Sequence, residues 1–147
     1  MQTTNYLEAI SYLDNAIKLN SNYADAYNNR GIALAEIKNY SDAIKDYEIC
    51  IKLKPNFPDA YINKGISLKE IGKYDDALKL HYKALKDAKK IYDLNSTEIA
   101  ETYAYIALTY QDLEKYDKAL NYQKKVLSIS LKKFGKFDNN TATAYFN

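Results

Sequence analysis

The sequence predicts an all-α solenoid in which antiparallel helix pairs are stacked one on another. The segments YLEAI, YSDAI and YDDAL place Ala9, Ala43 and Ala77 at intervals of 34 residues, and YDKAL repeats the unit with Ala119 after a further 42 residues. Within each unit, the apolar residues follow a helical period twice, separated by a short break, which indicates two helices joined by a tight turn. Helices of about 13 residues are marginal in water by themselves, so neighbouring pairs must bury one another's apolar faces.

The composition is that of a folded protein with little net charge. Of 147 residues, 47% are hydrophobic and 27% are charged, and 21 basic against 19 acidic side chains leave a formal net charge of +2. A charge this small does not support binding to nucleic acid or to an anionic membrane surface. The single cysteine, Cys50, can form no internal disulfide, and the opening MQTTNYLEAISYL lacks the features of a signal peptide. Since no apolar run approaches about 18 residues, we expect a cytoplasmic protein without a membrane span.

Small residues recur in the middle of the first helix of each unit. Gly31, Gly65 and Ala107 occupy equivalent positions in the three repeats. A glycine inside a helix costs up to about 1 kcal/mol relative to alanine, so a gain elsewhere must offset it. We expect that gain to be a close approach of the paired second helix, with small residues of one helix facing large residues of the other.

These positions resemble the motif of the tetratricopeptide repeat family. In residues 24–57, the aromatic, small and proline positions of the motif are matched by Tyr27, Gly31, Leu34, Tyr40, Ala43, Tyr47, Cys50 and Pro55. The later copies depart mildly, for example with His81 at an aromatic position, and the resemblance covers nearly the whole chain. It implies a right-handed superhelix whose first helices line a concave groove for a protein partner.

The repeat also predicts how the chain is divided. We expect residues 1–23 to contain the second helix of a partial unit, 24–57 a complete unit, 58–99 and 100–141 two extended units, and 142–147 the start of a further first helix. The extended units resemble those of kinesin light chains, and two extra turns of the second helix would explain the longer period, with Gly135 as a natural helix stop. Because Ala142 and Tyr145 match the start of another unit, we expect the chain to be a segment of a longer array.

The resemblance further assigns the side chains that face the groove. The candidate groove residues lie on the first helices of three units: Asp25, Asn28, Asn29, Ile32, Glu36, Asp59, Ile62, Asn63, Ile66, Glu70, Glu101, Tyr105, Leu108 and Asp112. Six of them are acidic, and the one opposing charge at groove positions is Lys69. Asparagine amides can hydrogen-bond an extended backbone without reading its side chains. We hypothesise a peptide or helix with basic and apolar residues as the ligand; the alternative is an ordinary solvated helix face.

Two partners known for related repeats are opposed by particular residues. One family clamp holds the C-terminal carboxylate of Hsp70 or Hsp90 and needs lysine, arginine and asparagine at five positions. In this sequence those positions are Asn28, Ile32, Asn63, Glu101 and Tyr105. Only Asn63 matches. An acidic groove equally opposes the acidic, tryptophan-containing cargo peptides that kinesin light chains prefer. Neither partner class is therefore expected.

The sequence contains no motif for catalysis, a metal or a cofactor. His81 is the single histidine and stands at a core-facing position, while Cys50 occupies a small buried position. Zinc-type clusters, phosphate-binding glycine loops and nucleophile motifs do not occur. We therefore expect a binding module and not an enzyme.

Other binding functions remain open at this stage. Lys79, Lys83, Lys86 and Lys90 form a stripe on a second helix, which indicates either a solvated outer face or a docking surface for an acidic partner. An RNA-binding helical repeat is disfavoured because its cations would lie on the reading face. A scaffold that self-associates end to end through exposed repeat ends is the main alternative to groove binding.

Overall fold

A computed structural model describes residues 2–134, with side chains described from residue 5 to residue 133. Seven helices occur in this range: α1 Gln2–Leu19, α2 Ala24–Glu36, α3 Tyr40–Leu53, α4 Pro58–Glu70, α5 Tyr74–Ile91, α6 Thr97–Asp112 and α7 Tyr116–Phe134. Each helix packs against the next along the chain, so the predicted all-α solenoid of antiparallel helix pairs is confirmed. The expected helix stop at Gly135 and the expected further helix over 142–147 lie outside the described residues.

Each turn between the two helices of a pair has the same backbone geometry. The residues Lys38, Gly72 and Glu114 adopt positive φ angles of 63°, 78° and 57°. The amide of the following residue then donates to a carbonyl of the preceding helix, as Lys73 N does to Leu68 O at 2.8 Å. This arrangement satisfies carbonyls that the end of a helix would otherwise leave without partners.

The mid-helix glycines allow a close approach of the second helix, as predicted. A methyl group on Gly31 would lie 2.6 Å from Cε1 of Tyr47, and one on Gly65 would overlap the imidazole of His81. Tyr47 and His81 are 1% and 0% exposed, so the two rings are fixed against the glycine backbone. The glycines thus set the spacing of the helix pairs, and with it the position of the groove-facing side chains.

The extra residues of the longer units are shared between two helices. Helix α5 has 18 residues against 14 in α3, and α6 has 16 against 13 in α4. Helix α6 begins at Thr97, ahead of the expected unit start at residue 100. The side chain of Ser96 caps this helix by accepting a hydrogen bond from Ile99 N at 3.4 Å. The expectation that two turns of the second helix account for the whole increase was therefore wrong, because a serine N-cap starts the next helix early.

The core runs along the array between the paired helices. Its largest cluster joins α5, α6 and α7 through Leu85, Ile99, Ile106, Val126 and Ile129. A smaller cluster contains Tyr27, Cys50 and Ala60 of the preceding pairs. In residues 2–134, none of the helices is both long and apolar enough for a bilayer crossing.

Candidate peptide-binding groove

The first helices of the pairs form one side of the array. Helix α2 contacts α4 and α4 contacts α6, whereas the second helices α3, α5 and α7 make no comparable contact with one another in the described chain. Because the first helices lie closer together, their row forms the inner side of the curved array. We call this surface the inner groove, and all fourteen candidate groove residues belong to its helices.

The candidate groove residues differ in how far they are exposed. Exposed side chains are Asn29, Ile32, Glu36, Asp59, Glu70, Glu101, Leu108 and Asp112, and partly buried ones are Asp25, Ile62, Asn63, Ile66 and Tyr105. Asn28 differs from the others because its residue is only 6% exposed. Thirteen of the fourteen thus keep surface that a ligand can contact.

Asn28 and Asn63 hydrogen-bond to each other. Asn63 Nδ2 donates to Asn28 Oδ1 at 3.1 Å, linking α2 to α4. An amide used in this way offers a ligand fewer donors and acceptors than the sequence suggested. The freely exposed asparagine at the groove is Asn29, while Asn63 keeps its carbonyl oxygen and one N–H.

An apolar row crosses the inner groove from one first helix to the next. Ile32 on α2 is 38% exposed and Leu108 on α6 is 47% exposed, with the partly buried Ile66 on α4 between them. These side chains stand at equivalent positions of three units, so they form a line across the helices. An apolar row that is only partly covered gains free energy when a ligand covers it.

Lysines neutralise half of the groove carboxylates. Lys69 Nζ lies 2.8 Å from Glu70 and 3.2 Å from Asp112. Partial burial of Lys69 lowers its pKa, but the combined effect of Glu70 and Asp112 is larger, so the pKa of Lys69 is raised. At the other end, Lys54 Nζ lies 3.3 Å from Asp25.

Lys54 was not among the groove residues identified from the sequence. It follows α3, a second helix, and reaches Asp25 across 29 positions of the chain. Glu36, Asp59 and Glu101 make no ion pair within residues 5–133. The groove therefore carries two opposing lysines, not one, and its unneutralised charge rests on these three carboxylates.

The third unit contributes a phenol to the groove in place of an asparagine. The ring centroid of Tyr105 lies 5.9 Å from that of His81, which anchors the tyrosine to the core. Burial, with a smaller contribution from the charge of Glu101, raises the pKa of the Tyr105 hydroxyl. Tyr105 can therefore offer a neutral donor to a ligand at the α6 end of the groove.

The two side chains with potential for chemistry face the core. His81 is fully buried with Nδ1 3.4 Å from Thr109 Oγ1, and burial lowers its pKa to about 4. Cys50 is also fully buried, and burial raises the pKa of its thiol to about 11. Within the described chain, no three histidine, cysteine or acidic side chains are grouped as metal ligands would be.

The predicted lysine stripe on α5 is largely paired with acidic side chains. Lys79 Nζ lies 2.9 Å from Asp76, and both Lys83 and Lys90 contact Asp87. Asp87 is only 3% exposed, and hydrogen bonds from Lys83 and Lys90 lower its pKa. These pairs hold part of the stripe against the helix.

Comparison with known proteins points to one family. Sequence profiles described as tetratricopeptide repeat match residues 24–57 and 57–132. A crystal structure of MamA is similar with a TM-score of 0.75 and 26% identity, over 87% of this chain and 70% of that one. A second MamA structure has a TM-score of 0.74 at 24% identity, covering 90% and 69% of the two chains. Comparison with curated protein sequences found no match.

Proposed function

The chain belongs to the tetratricopeptide repeat family, and on that premise we propose that its inner groove binds a basic and apolar segment of a partner protein. Repeats of this family generally mediate protein–protein interactions, so the chain is a protein-interaction scaffold. The sequence of the bound segment is the part that we infer from the groove.

The partly exposed apolar row is the observation that carries the proposal. Ile32, Ile66 and Leu108 leave apolar surface uncovered on three successive helices. Burying such surface contributes roughly 25 cal/mol per Å². A ligand with apolar side chains at matching intervals would cover all three residues at once, whereas a wholly polar ligand would leave them in water.

The three unpaired carboxylates supply the preference for basic residues. Glu36, Asp59 and Glu101 flank the apolar row on α2, α4 and α6. An exposed ion pair contributes roughly 0.2–1 kcal/mol, so these carboxylates act mainly on association rate and on discrimination against acidic ligands. The apolar row then supplies most of the affinity, and added salt weakens binding only in part.

The experiment uses a fluorescent peptide of alternating lysine and leucine, with a lysine–serine peptide as its apolar-free counterpart. We expect the lysine–leucine peptide to bind more tightly and its affinity to fall with salt. Ile32→Ser should weaken binding about tenfold, which corresponds to about 1.4 kcal/mol. Ile49→Ser is the matched control, because Ile32 and Ile49 are both 38% exposed but Ile49 lies on α3, outside the groove.

Two results would overturn the groove assignment. Equal losses of affinity in Ile32→Ser and Ile49→Ser would show that the peptide binds apolar surface without regard to the groove. Binding that ignores both salt and the presence of leucine would show that neither the carboxylates nor the apolar row selects the ligand.

A second candidate function is self-association through the face of α1. Leu7 and Tyr12 on this helix are 56% and 68% exposed, although α1 packs against α2. Two such faces could cover each other or another part of a second copy. Light scattering over a concentration series tests this: a rising mass that Tyr12→Ser abolishes supports it, and a constant monomer mass refutes it.

A further inference from the structure

The outer side of the array contains a basic cleft between α3 and α5. It has a volume of about 570 Å³, and Lys45, Lys64, Lys73 and Lys79 stand around it. Glu48 and Asp76 line it as well and pair with Lys64 and Lys79, so the lining holds two more lysines than carboxylates. The cleft opens between two second helices, with residues of α4 at its base, and we call it the outer cleft.

Apolar side chains form the base of the outer cleft. Leu68 is 7% exposed, whereas Ile71, at the end of α4, is 44% exposed. Ile44 and Leu80 complete the apolar part of the lining from the two flanking helices. A ligand that used the lysines alone would leave this apolar surface in water, so the surface fits a ligand with both carboxylates and an apolar side chain.

The corresponding place one unit earlier has a different charge. A smaller cleft of about 400 Å³ lies between α1 and α3. Arg30 occupies it, donating to Asp46 through Nε and a second nitrogen at 2.7 Å each and to Asp14 at 2.7 Å. Lys45 and its partner Asp42 line this cleft too, so three carboxylates face two cations and little positive charge is left for an acidic ligand.

One unit later, tyrosine rings occupy the same place. Tyr82 Oη lies 2.9 Å from Tyr110 Oη and 3.0 Å from Tyr122 Oη, which joins α5, α6 and α7. Tyr110 and Tyr122 stand 42 residues after Leu68 and Leu80 of the outer cleft. Among the three places between consecutive second helices of the described chain, the outer cleft is therefore the one that is both open and basic.

Lys64 of the outer cleft is only 19% exposed and pairs with Glu48 at 2.8 Å, but two other lysines can exchange their present partners for those of a ligand. Lys45 and Lys79 pair at 2.8 Å and 2.9 Å with carboxylates three residues earlier on their own helices, and their side chains remain 68% and 75% exposed. Such exposed pairs contribute little to stability, so a ligand's carboxylates can replace them at small cost. Lys73, at the start of α5, makes no ion pair within the described residues.

We propose that the outer cleft binds an acidic segment of a protein partner. An apolar side chain of that segment lies on Leu68 and Ile71, and carboxylates on either side of it meet Lys73 and Lys79. This ligand is opposite in charge to the one proposed for the inner groove and binds the opposite side of the array. A single module then holds two different segments at the same time.

A fluorescent peptide of alternating glutamate and leucine tests the outer cleft. We expect Lys73→Glu to weaken its binding about tenfold, since the substitution replaces an attraction by a repulsion. Lys115→Glu is the matched control, because Lys115 immediately precedes α7 as Lys73 precedes α5, and it lies next to the tyrosine-filled place. Ile32→Ser, in the inner groove, should leave the affinity for this peptide unchanged.

Three outcomes would overturn the proposal. A glutamate–serine peptide that binds as tightly as the glutamate–leucine peptide would exclude the apolar base from recognition. A single-stranded oligonucleotide that competes on equal terms would mean that the lysines bind phosphate and not a peptide. Equal losses in Lys73→Glu and Lys115→Glu would mean that general charge attraction, and not this cleft, binds the peptide.

Discussion

Acidification should destabilise the array through one buried histidine. The His81 side chain is fully buried, with its ring against Gly65 and near Thr109 and Tyr105. Burial lowers its pKa from 6.5 to about 4, and the positive charge of Lys69 acts in the same direction. The folded protein therefore holds the neutral imidazole over a pH range in which an exposed histidine is already protonated.

The size of the effect follows from the two pKa values. Above pH 6.5 the histidine is neutral in both states, so the full stability is present. As pH falls from 6.5 to about 4, the unfolded chain binds the proton first and the free energy of unfolding decreases. Each unit of pKa difference corresponds to 1.36 kcal/mol, so the total loss over this range is about 3 kcal/mol.

Urea unfolding at a series of pH values measures this loss. His81→Phe is the control, because Tyr47 occupies the equivalent position one unit earlier and its ring packs on Gly31 in the same way. The variant should lose about 3 kcal/mol less than the original protein between pH 6.5 and 4. Identical pH dependence in the two proteins would refute the assignment of this loss to His81.

Three further predictions concern packing and reactivity. Gly65→Ala should lower the free energy of unfolding by about 1–3 kcal/mol, because the new methyl group would meet the His81 ring; an unchanged urea midpoint would show that the ring moves aside at no cost. Arg30→Met should cost about 3 kcal/mol because it leaves the buried carboxylate of Asp46 without its cation. Adding Asp46→Leu should recover most of that loss in urea unfolding, and an additive further loss would contradict this account. The Cys50 thiol, with its pKa raised to about 11, should react with a disulfide reagent at mildly alkaline pH only when the protein unfolds; rapid labelling of the native protein would contradict its burial.

Repeat spacing was sufficient to predict the fold. Residues at matching positions of each unit reflect local helix geometry, which every unit repeats. The equivalence of Gly31 and Gly65 in the sequence therefore indicated closely packed helix pairs. The assignment of the three apolar residues to a groove came from the resemblance to the family, while the helical period explains why they stand at matching positions of successive units. The longer unit was less predictable, because an added residue can extend α5 or start α6 early with equal effect on the period.

Charges and hydrogen bonds between units depended on the tertiary structure. The pairing of Asn28 with Asn63 and of Asp25 with Lys54 joins residues that lie 35 and 29 positions apart. The two residues of each pair do not share a helix, so the helical period within one element does not relate them. Such contacts depend on the distance between two packed helices and on which side chains face each other across it.

The same limit applies to the outer surface. The sequence determined that each pair of neighbouring second helices would be separated by a similar space, because the helix pairs repeat. Only the tertiary structure decided that Arg30 engages the carboxylates of the first space, that lysines surround an open second space, and that three tyrosines occupy the third. The reason is physical: the repeat keeps the residues that pack the helices, while most of the residues that line each space stand at positions that differ from unit to unit.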